Sequence, residues 1–227
     1  MKPNYTDITI ILDRSGSMGD IAAETISGFN KFLDDQRQLP RETTMSLVQF
    51  NHTTEATFNA VPIREVVPLS AEDYRPHGHT ALLDAVGKTI KETGARLRNL
   101  AERDRPSKVI VVILTDGLEN ASRTYTREQV FRIIQHQRET YSWEFVFLGA
   151  NQDAIREAGK IGIAPGAALT FAASGVGAEA AFAATSSLIQ TLRSAPDAPG
   201  VFTDRDRQTQ GQHLNPRFKS PSSSSSQ

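Results

Sequence analysis

Short apolar, β-branched runs alternate with amphipathic stretches along most of this chain. Residues 6–12 (TDITIIL) are apolar almost throughout, which predicts a strand buried on both faces. Residues 21–37 then place Ala22, Ile26, Phe29 and Leu33 at spacings of 4, 3 and 4, one stripe of an amphipathic helix. Residues 43–50 and 55–59 flank the polar turn Asn51-His52-Thr53-Thr54 and predict a hairpin. Residues 61–70, with Pro62 and Pro68, predict irregular chain or a weak edge strand. The longest helical pattern covers residues 80–102, with Leu83, Val86, Ile90, Leu97 and Ala101 on one face. Residues 108–115 (KVIVVILT) form the strongest buried-strand pattern in the chain. A helix over 126–140 aligns Val130, Ile134, Gln137 and Tyr141, and a strand over 143–148 (WEFVFL) precedes a short helix near 153–160. A last strand is expected over 168–172. A last helix over 178–192 turns Ala181, Phe182, Thr185, Leu188 and Leu192 inward.

Strand–helix alternation with fully apolar strands defines an α/β fold: a single doubly wound, mostly parallel sheet with one antiparallel edge strand and helices on both faces. The domain is expected to span residues 1–195. From Pro196 the composition shifts to Gln, Ser, Pro and Arg and ends in PSSSSSQ, so residues 196–227 are read as a disordered tail unable to bury enough apolar surface to offset its ordering entropy. No internal repeat is seen.

Composition narrows the function. The 227 residues carry 25 Lys+Arg against 26 Asp+Glu, a formal charge of −1, which removes the electrostatic case for general nucleic-acid or anionic-membrane binding. With no cysteine, disulfides, thiolate zinc sites, iron–sulfur clusters and a Cys nucleophile are excluded. The apolar run from Ile8 to Leu12, broken by Thr9, is too short for a signal-peptide core, and no later stretch approaches a membrane span. A cytoplasmic protein is the expectation.

In an open α/β sheet the site lies beyond the carboxyl ends of the strands. Asp13-Arg14-Ser15-Gly16-Ser17-Met18 follows the first strand, Thr115-Asp116-Gly117 follows the strongest one, and Gly78-His79-Thr80 opens the long helix. Each contributes hard oxygen: carboxylates from Asp13 and Asp116, hydroxyls from Ser15, Ser17 and Thr80. Such donors suit Mg²⁺, with Mn²⁺ or Ca²⁺ as alternatives, rather than zinc or copper. Two carboxylates balance a divalent cation, and five protein groups leave an octahedral shell at least one position open to an anionic oxygen from outside. Taken singly, Asp13, Ser17 and Thr80 could equally be helix N-caps; their convergence on one crevice favours a metal.

Asp13-x-Ser15-x-Ser17, Thr80 and Asp116-Gly117 together resemble the metal-ion-dependent adhesion site of von Willebrand factor type A domains, with all five positions matched over a region of roughly 7–193. The resemblance implies Mg²⁺ or Mn²⁺ held directly by Ser15, Ser17 and often Thr80, with Asp13 and Asp116 acting largely through water or changing coordination between states. It further implies that a Glu or Asp of a partner protein completes the shell. It implies binding rather than catalysis, and it looks like the intracellular bacterial branch, whose members often work as adaptors beside AAA-type ATPases or kinases.

Around this constellation Arg14, His77, His79, Glu119, Asn120 and Asn151, with Asp153, are candidate rim residues for a partner. Arg14 could steer an acidic partner, and the histidines could make recognition sensitive to pH near 6–7. Loop residues and caps are the bland reading of the same positions. The alternative function is a Mg²⁺-dependent phosphohydrolase with Asp13 as nucleophile; it lacks the usual second Asp two residues on, where Ser15 stands. Gly87-Lys88-Thr89 imitates the end of a phosphate loop but has Leu82 where a Gly is needed, and reads as helix surface. Gly175-x-Gly177-x-x-Ala180 imitates a dinucleotide fingerprint without the following acidic strand, and reads as close helix–sheet packing.

Overall fold

A computed structural model of the chain describes residues 1–151, 153–195 and 197–214. Six strands form one sheet: β1 (Lys2–Asp13), β2 (Glu42–Phe50), β3 (Thr54–Pro62), β4 (Pro106–Thr115), β5 (Glu144–Ala150) and β6 (Ala168–Phe171), in the order β3-β2-β1-β4-β5-β6. Every pairing is parallel except β2 with β3, the hairpin at one edge. The doubly wound, mostly parallel sheet with one antiparallel edge is therefore present as expected.

Alternation along β1 divides the core. Ile8, Ile10 and Leu12 face one layer, packed with α1 (Ala22–Arg37) and α5 (Gly175–Ser194). Ile11 joins Val109, Val111 and Ile113 against α2 (Leu82–Arg98), α3 (Arg127–Tyr141) and α4 (Ala154–Lys160). Both faces of the central strands are dry, which is why their sequences are near-continuous runs of Ile, Val and Leu. α1 and α5 approach closely at Gly28, where an added Cβ would lie 2.4 Å from the Phe182 ring.

Element boundaries move in informative ways. The long helix starts at Leu82 and ends at Arg98, so Thr80 lies just outside it and Ala101 is exposed beyond its end. Tyr141 closes α3 but is 58% exposed, so the inward stripe of that helix is Val130 and Ile134, with Ile133 partly buried beside them. The fingerprint-like Gly177 does serve packing: a Cβ there would fall 2.2 Å from the Ala172 carbonyl. Gly87 is buried rather than surface, covered by the Tyr125 ring 2.5 Å from where its Cβ would be.

The larger correction concerns the region after Pro196. A sixth helix, α6 (Asp204–His213), opens with a reciprocal Thr203–Asp206 capping box. Phe202, Gln210 and Leu214 are buried. The sheet edge explains why so few apolar residues suffice. Asn151 N–H donates to the Phe171 carbonyl, so by the alternation of a parallel ladder the Ala168 carbonyl faces away from β5. Arg207 donates to that carbonyl at 2.9 Å and to the Pro165 and Gly166 carbonyls at 3.2 and 3.0 Å. An edge strand needs such a cover, and one Arg plus one Phe provide it where composition alone suggested none. The expected disorder of residues 215–227 lies outside the described residues.

Phe202→Ala is expected to cost about 3–5 kcal/mol, the usual range for emptying a buried Phe site, read as a lower urea midpoint with unchanged slope. An unchanged midpoint would return residues 197–214 to the status of a tail.

Candidate metal centre

The carboxyl ends of β1 and β4 lie side by side, with Leu12 in register with Leu114, so Asp13 and Thr115 end adjacent strands. Asp13 is wholly buried. Its Oδ1 accepts the Ser15 N–H at 2.7 Å and its Oδ2 accepts the Thr115 hydroxyl at 2.5 Å. The Tyr74 hydroxyl donates to the Asp13 main-chain carbonyl at 2.5 Å. Burial raises the Asp13 pKa to about 6, the hydrogen bonds from Thr115 and Ser15 oppose that rise, and the Asp116 charge adds to it. Asp116 is also raised, first by burial; the Ser17 hydrogen bond counteracts this and Asp20 reinforces it.

In front of Asp13 the other oxygens gather. Ser15 Oγ stands 3.3 Å from Ser17 Oγ, and Ser17 Oγ donates to Asp116 Oδ1 at 2.8 Å. Thr80 reaches the same place from the α2 side. Its hydroxyl would touch a Cβ on residue 117 at 2.8 Å, so only glycine after Asp116 leaves room for the two loops to meet. Adjacent corners of a Mg²⁺ octahedron with 2.0–2.1 Å bonds are about 2.9 Å apart, so the spacing of these oxygens fits a small divalent cation. The centre has only two carboxylates, and among the described residues no group of three or more His, Cys, Asp or Glu is arranged around a metal. The donor set is oxygen, largely neutral and hard.

None of these oxygens is used to cap a helix. Ser15 precedes the 3-10 turn Gly16–Ile21 without a side-chain cap bond, and Ala81, which precedes α2, has no side chain that could cap it. The capping is done from elsewhere. Glu119 accepts the Leu83 N–H at 2.9 Å from across the loop, and also the Ala121 and Ser122 N–H groups. Asp84 accepts three backbone N–H groups, Arg123 to Tyr125, and these hold its pKa low against the opposing effect of burial.

Several expected rim residues turn out to be builders of the site. Asn120 Oδ1 accepts the Thr80 N–H at 2.9 Å while its own N–H donates to the Thr80 carbonyl at 3.0 Å, a two-way clamp on that residue. Arg14 does not project as a steering charge; it pairs with Glu55 at 3.0 Å and is largely covered. His77 is exposed, yet both ring nitrogens are engaged, with the Arg75 carbonyl at 2.8 Å and Asn51 Nδ2 at 3.1 Å. Asn151, at φ 47°, accepts the Ala173 N–H, and Asp153 caps α4 through Arg156 N–H. His79 is exposed, and no hydrogen bond or ion pair of its side chain is seen among the described residues.

Asn51, Thr115 and Tyr74 were not singled out from the sequence. Asn51 is fully buried; its side chain holds the His77 carbonyl at 3.0 Å and its own carbonyl accepts the Ala81 N–H, tying the hairpin turn to the Thr80 loop. Thr115 stood in plain view as the residue before Asp116. Only tertiary geometry reveals that its hydroxyl serves Asp13.

The family profile for the von Willebrand factor type A domain matches residues 7–183, and the chain belongs to that family. The fold agrees with solved members. Proximal thread matrix protein 1 of the mussel byssus is 16% identical with a TM-score of 0.57, covering 78% of this chain and 46% of its own. A form of that protein with a zinc-occupied MIDAS motif is 17% identical with a TM-score of 0.55, over 83% of this chain and 47% of that one. The pilus adhesin SpaC of Lactobacillus rhamnosus GG, in its open conformation, is 15% identical with a TM-score of 0.58, over 82% of this chain and 30% of that one. The chain thus spans less than half the length of these structures. A search of curated protein sequences gave no match.

The raised pKa of Asp13 has a worked-out sign. A carboxyl whose folded pKa lies above its unfolded value of 3.8 favours the fold below pH 3.8 and loses that contribution as pH rises through about 6. The difference is about 3 kcal/mol. In metal-free protein, Asp13→Asn is therefore expected to raise the melting temperature at pH 7.5 and change it little at pH 4, since an amide can still accept from Ser15 N–H and donate to Thr115. Equal effects at both pH values in calorimetry would contradict this. Thr115→Val is expected to weaken Mn²⁺ binding by roughly tenfold or more, the loss of one charge-assisted hydrogen bond, with Thr115→Ser restoring it. Titration calorimetry showing three equal affinities would remove Thr115 from the centre.

Proposed function

We propose that the chain is a metal-dependent protein-binding module and not an enzyme. The supporting observation is the convergence of Ser15, Ser17 and Asp116 oxygens, 3.3 and 2.8 Å apart, in front of a buried, hydrogen-bonded Asp13. In this reading Ser15, Ser17 and Thr80 hold Mg²⁺, or Mn²⁺ or Ca²⁺, directly, and Asp13 and Asp116 supply its balancing charge. The metal provides a Lewis-acidic position that a carboxylate from outside can fill. The zinc-occupied MIDAS motif of the mussel protein supports a divalent ion at such a centre.

The chain's own groups then divide the work. Ser17 is exposed and lies at the mouth; Asp13, behind it, is held by Thr115 and Ser15 N–H. With both oxygens already accepting hydrogen bonds and no exposed surface, Asp13 is a poor nucleophile, which speaks against the phosphohydrolase alternative. A Glu or Asp side chain of a partner protein completes the shell, and His79, exposed beside Thr80, borders the contact. Among the described residues no helix is long and apolar enough to cross a membrane. A cytosolic adaptor in a multi-protein assembly, one with an ATPase or kinase among its parts, is the setting proposed from family analogy.

The test is capture of partners on immobilised protein in Mg²⁺ and in EDTA, with Thr80→Ala as control. A partner retained only by wild type in Mg²⁺, and released by free glutamate-rich competitor, is the expected result. Retention indifferent to EDTA and to Thr80→Ala, or Mg²⁺-dependent phosphate release from p-nitrophenyl phosphate, would overturn the reading.

A further inference from the structure

A broad concavity lies at the pole opposite the metal centre. It is a groove of about 1270 Å³ between the carboxyl-terminal halves of α2 and α3, closed below by the starts of β4 and β5 and by residues 197–200. α2 lines it with small residues where it opens, Gly94 and Ala95, and a Cβ on Gly94 would meet nothing within 4 Å. The floor is apolar and includes Leu97, Val109 and Trp143, the chain's single tryptophan.

Charge is sorted around it. The two helices carry acids of their own, among them Glu92 on α2 and Glu128 and Glu139 on α3, but none of these lines the groove. The charged side chains of α2 and α3 that line it are Lys91, Arg98 and Arg132, with the His136 ring beside them; the Lys91 ammonium lies over the Tyr125 ring, 4.8 Å from its centroid, and His136 Nδ1 is 3.2 Å from the Thr140 hydroxyl. Arg98 makes no ion pair among the described residues. Arg132 pairs only with Glu128, both about three-quarters exposed, which leaves its charge nearly intact. Glu144, one of three acids at the lower end, is already matched by Lys108 at 3.4 Å; Glu102 and Asp197 are the other two. Helix-dipole compensation accounts for Arg98 in the last turn of α2 but not for Lys91, Arg132 and His136, which lie further back.

We infer that this groove is a second docking site and takes an acidic, partly apolar segment of a partner protein. Its volume exceeds the usual small-ligand range of roughly 300–1000 Å³. Its walls are basic and its floor is greasy, the inverse of such a segment. A nucleic acid fits less well. Trp143 is only 6% exposed and offers no stacking face, and the chain as a whole is acidic by one charge. The site is independent of the metal centre, and with it the domain can bridge two proteins.

Trp143 makes the test direct. Metal-free protein in EDTA is titrated with an amphipathic peptide of Glu, Leu and Ala, following Trp143 emission, with a Lys-for-Glu peptide as counterpart. EDTA keeps peptide carboxylates from using the metal pole, so the result does not depend on the function proposed above. The Glu peptide is expected to bind and to weaken as salt rises, while the Lys peptide does not. Arg98→Glu/Arg132→Glu is expected to weaken binding roughly tenfold or more while the protein stays folded with its melting temperature lowered by only a few degrees, since both side chains are exposed and the lost dipole and i,i+4 contacts are small. No saturable response to the Glu peptide, a response unmoved by the double charge reversal, or displacement of the peptide by an equimolar single-stranded oligonucleotide would each overturn the inference.

Discussion

A carboxylate with no exposed surface, at the end of the central strand, sets the terms for everything around it. Asp13 belongs to β1, which is flanked by β2 and β4 and covered on both faces, so its charge cannot be solvated by water. Only neighbours can compensate: one N–H from Ser15 and one hydroxyl from Thr115. These hydrogen bonds do not offset burial, which raises the pKa to about 6. In the proposed reading a divalent cation supplies the compensation the protein leaves out, and the hydrogen bond from Thr115 holds Asp13 oriented toward it.

That arrangement succeeds only if the remaining oxygens stay free. Ser, Thr and Asp at helix starts are drawn into capping, because the first turn of a helix has N–H groups to satisfy. Here other residues take that duty. Glu119 and Asp84 satisfy the loop between β4 and α3 and the start of α2, and Asn120 clamps the Thr80 backbone rather than its hydroxyl. Asn51 and the Gly16 N–H to Gly78 carbonyl bond, 3.0 Å long, join the hairpin, the first loop and the Thr80 loop. The cost of ordering three loops is spread over groups that never meet the metal.

This division also explains what was legible in the sequence. The central strands were readable because burial on both faces writes continuous Ile, Val and Leu runs, and the grouping of Ser15, Ser17 and Asp116 was readable because these residues follow the ends of the adjacent strands β1 and β4. Support residues were not readable. Asn51 reads as an ordinary turn residue, Tyr74 as an isolated aromatic, and Arg14 as an exposed charge, since nothing local shows Glu55 opposite it. Rim and support are the same residue types in the same loops; only the third dimension separates Asn120, which faces Thr80, from His79, which faces outward. The segment after Pro196 misled for a related reason. Its average composition is polar, but Phe202 and Leu214 are buried and Arg207 covers the sheet edge, and an average does not record where three side chains fall.

A parallel sheet also has two unlike ends, and the domain treats them differently. Carboxylates collect where strands end, while α2 and α3 deliver their carboxyl termini to the other pole, where the helix dipole favours cations. Arg96, Arg98 and Arg138 lie in those last turns, and Arg96 reaches the buried Asp7 of β1 at 2.9 Å. Polarity of the fold thus accounts for a basic bias at that end and for the part of it that is consumed internally. Along the groove walls Arg98, which makes no ion pair among the described residues, and Arg132, paired only with the exposed Glu128, exceed that structural need. On the two readings proposed above, the unlike ends of the domain would take two acidic ligands at separate places, one at the metal centre and one along the basic walls of the groove.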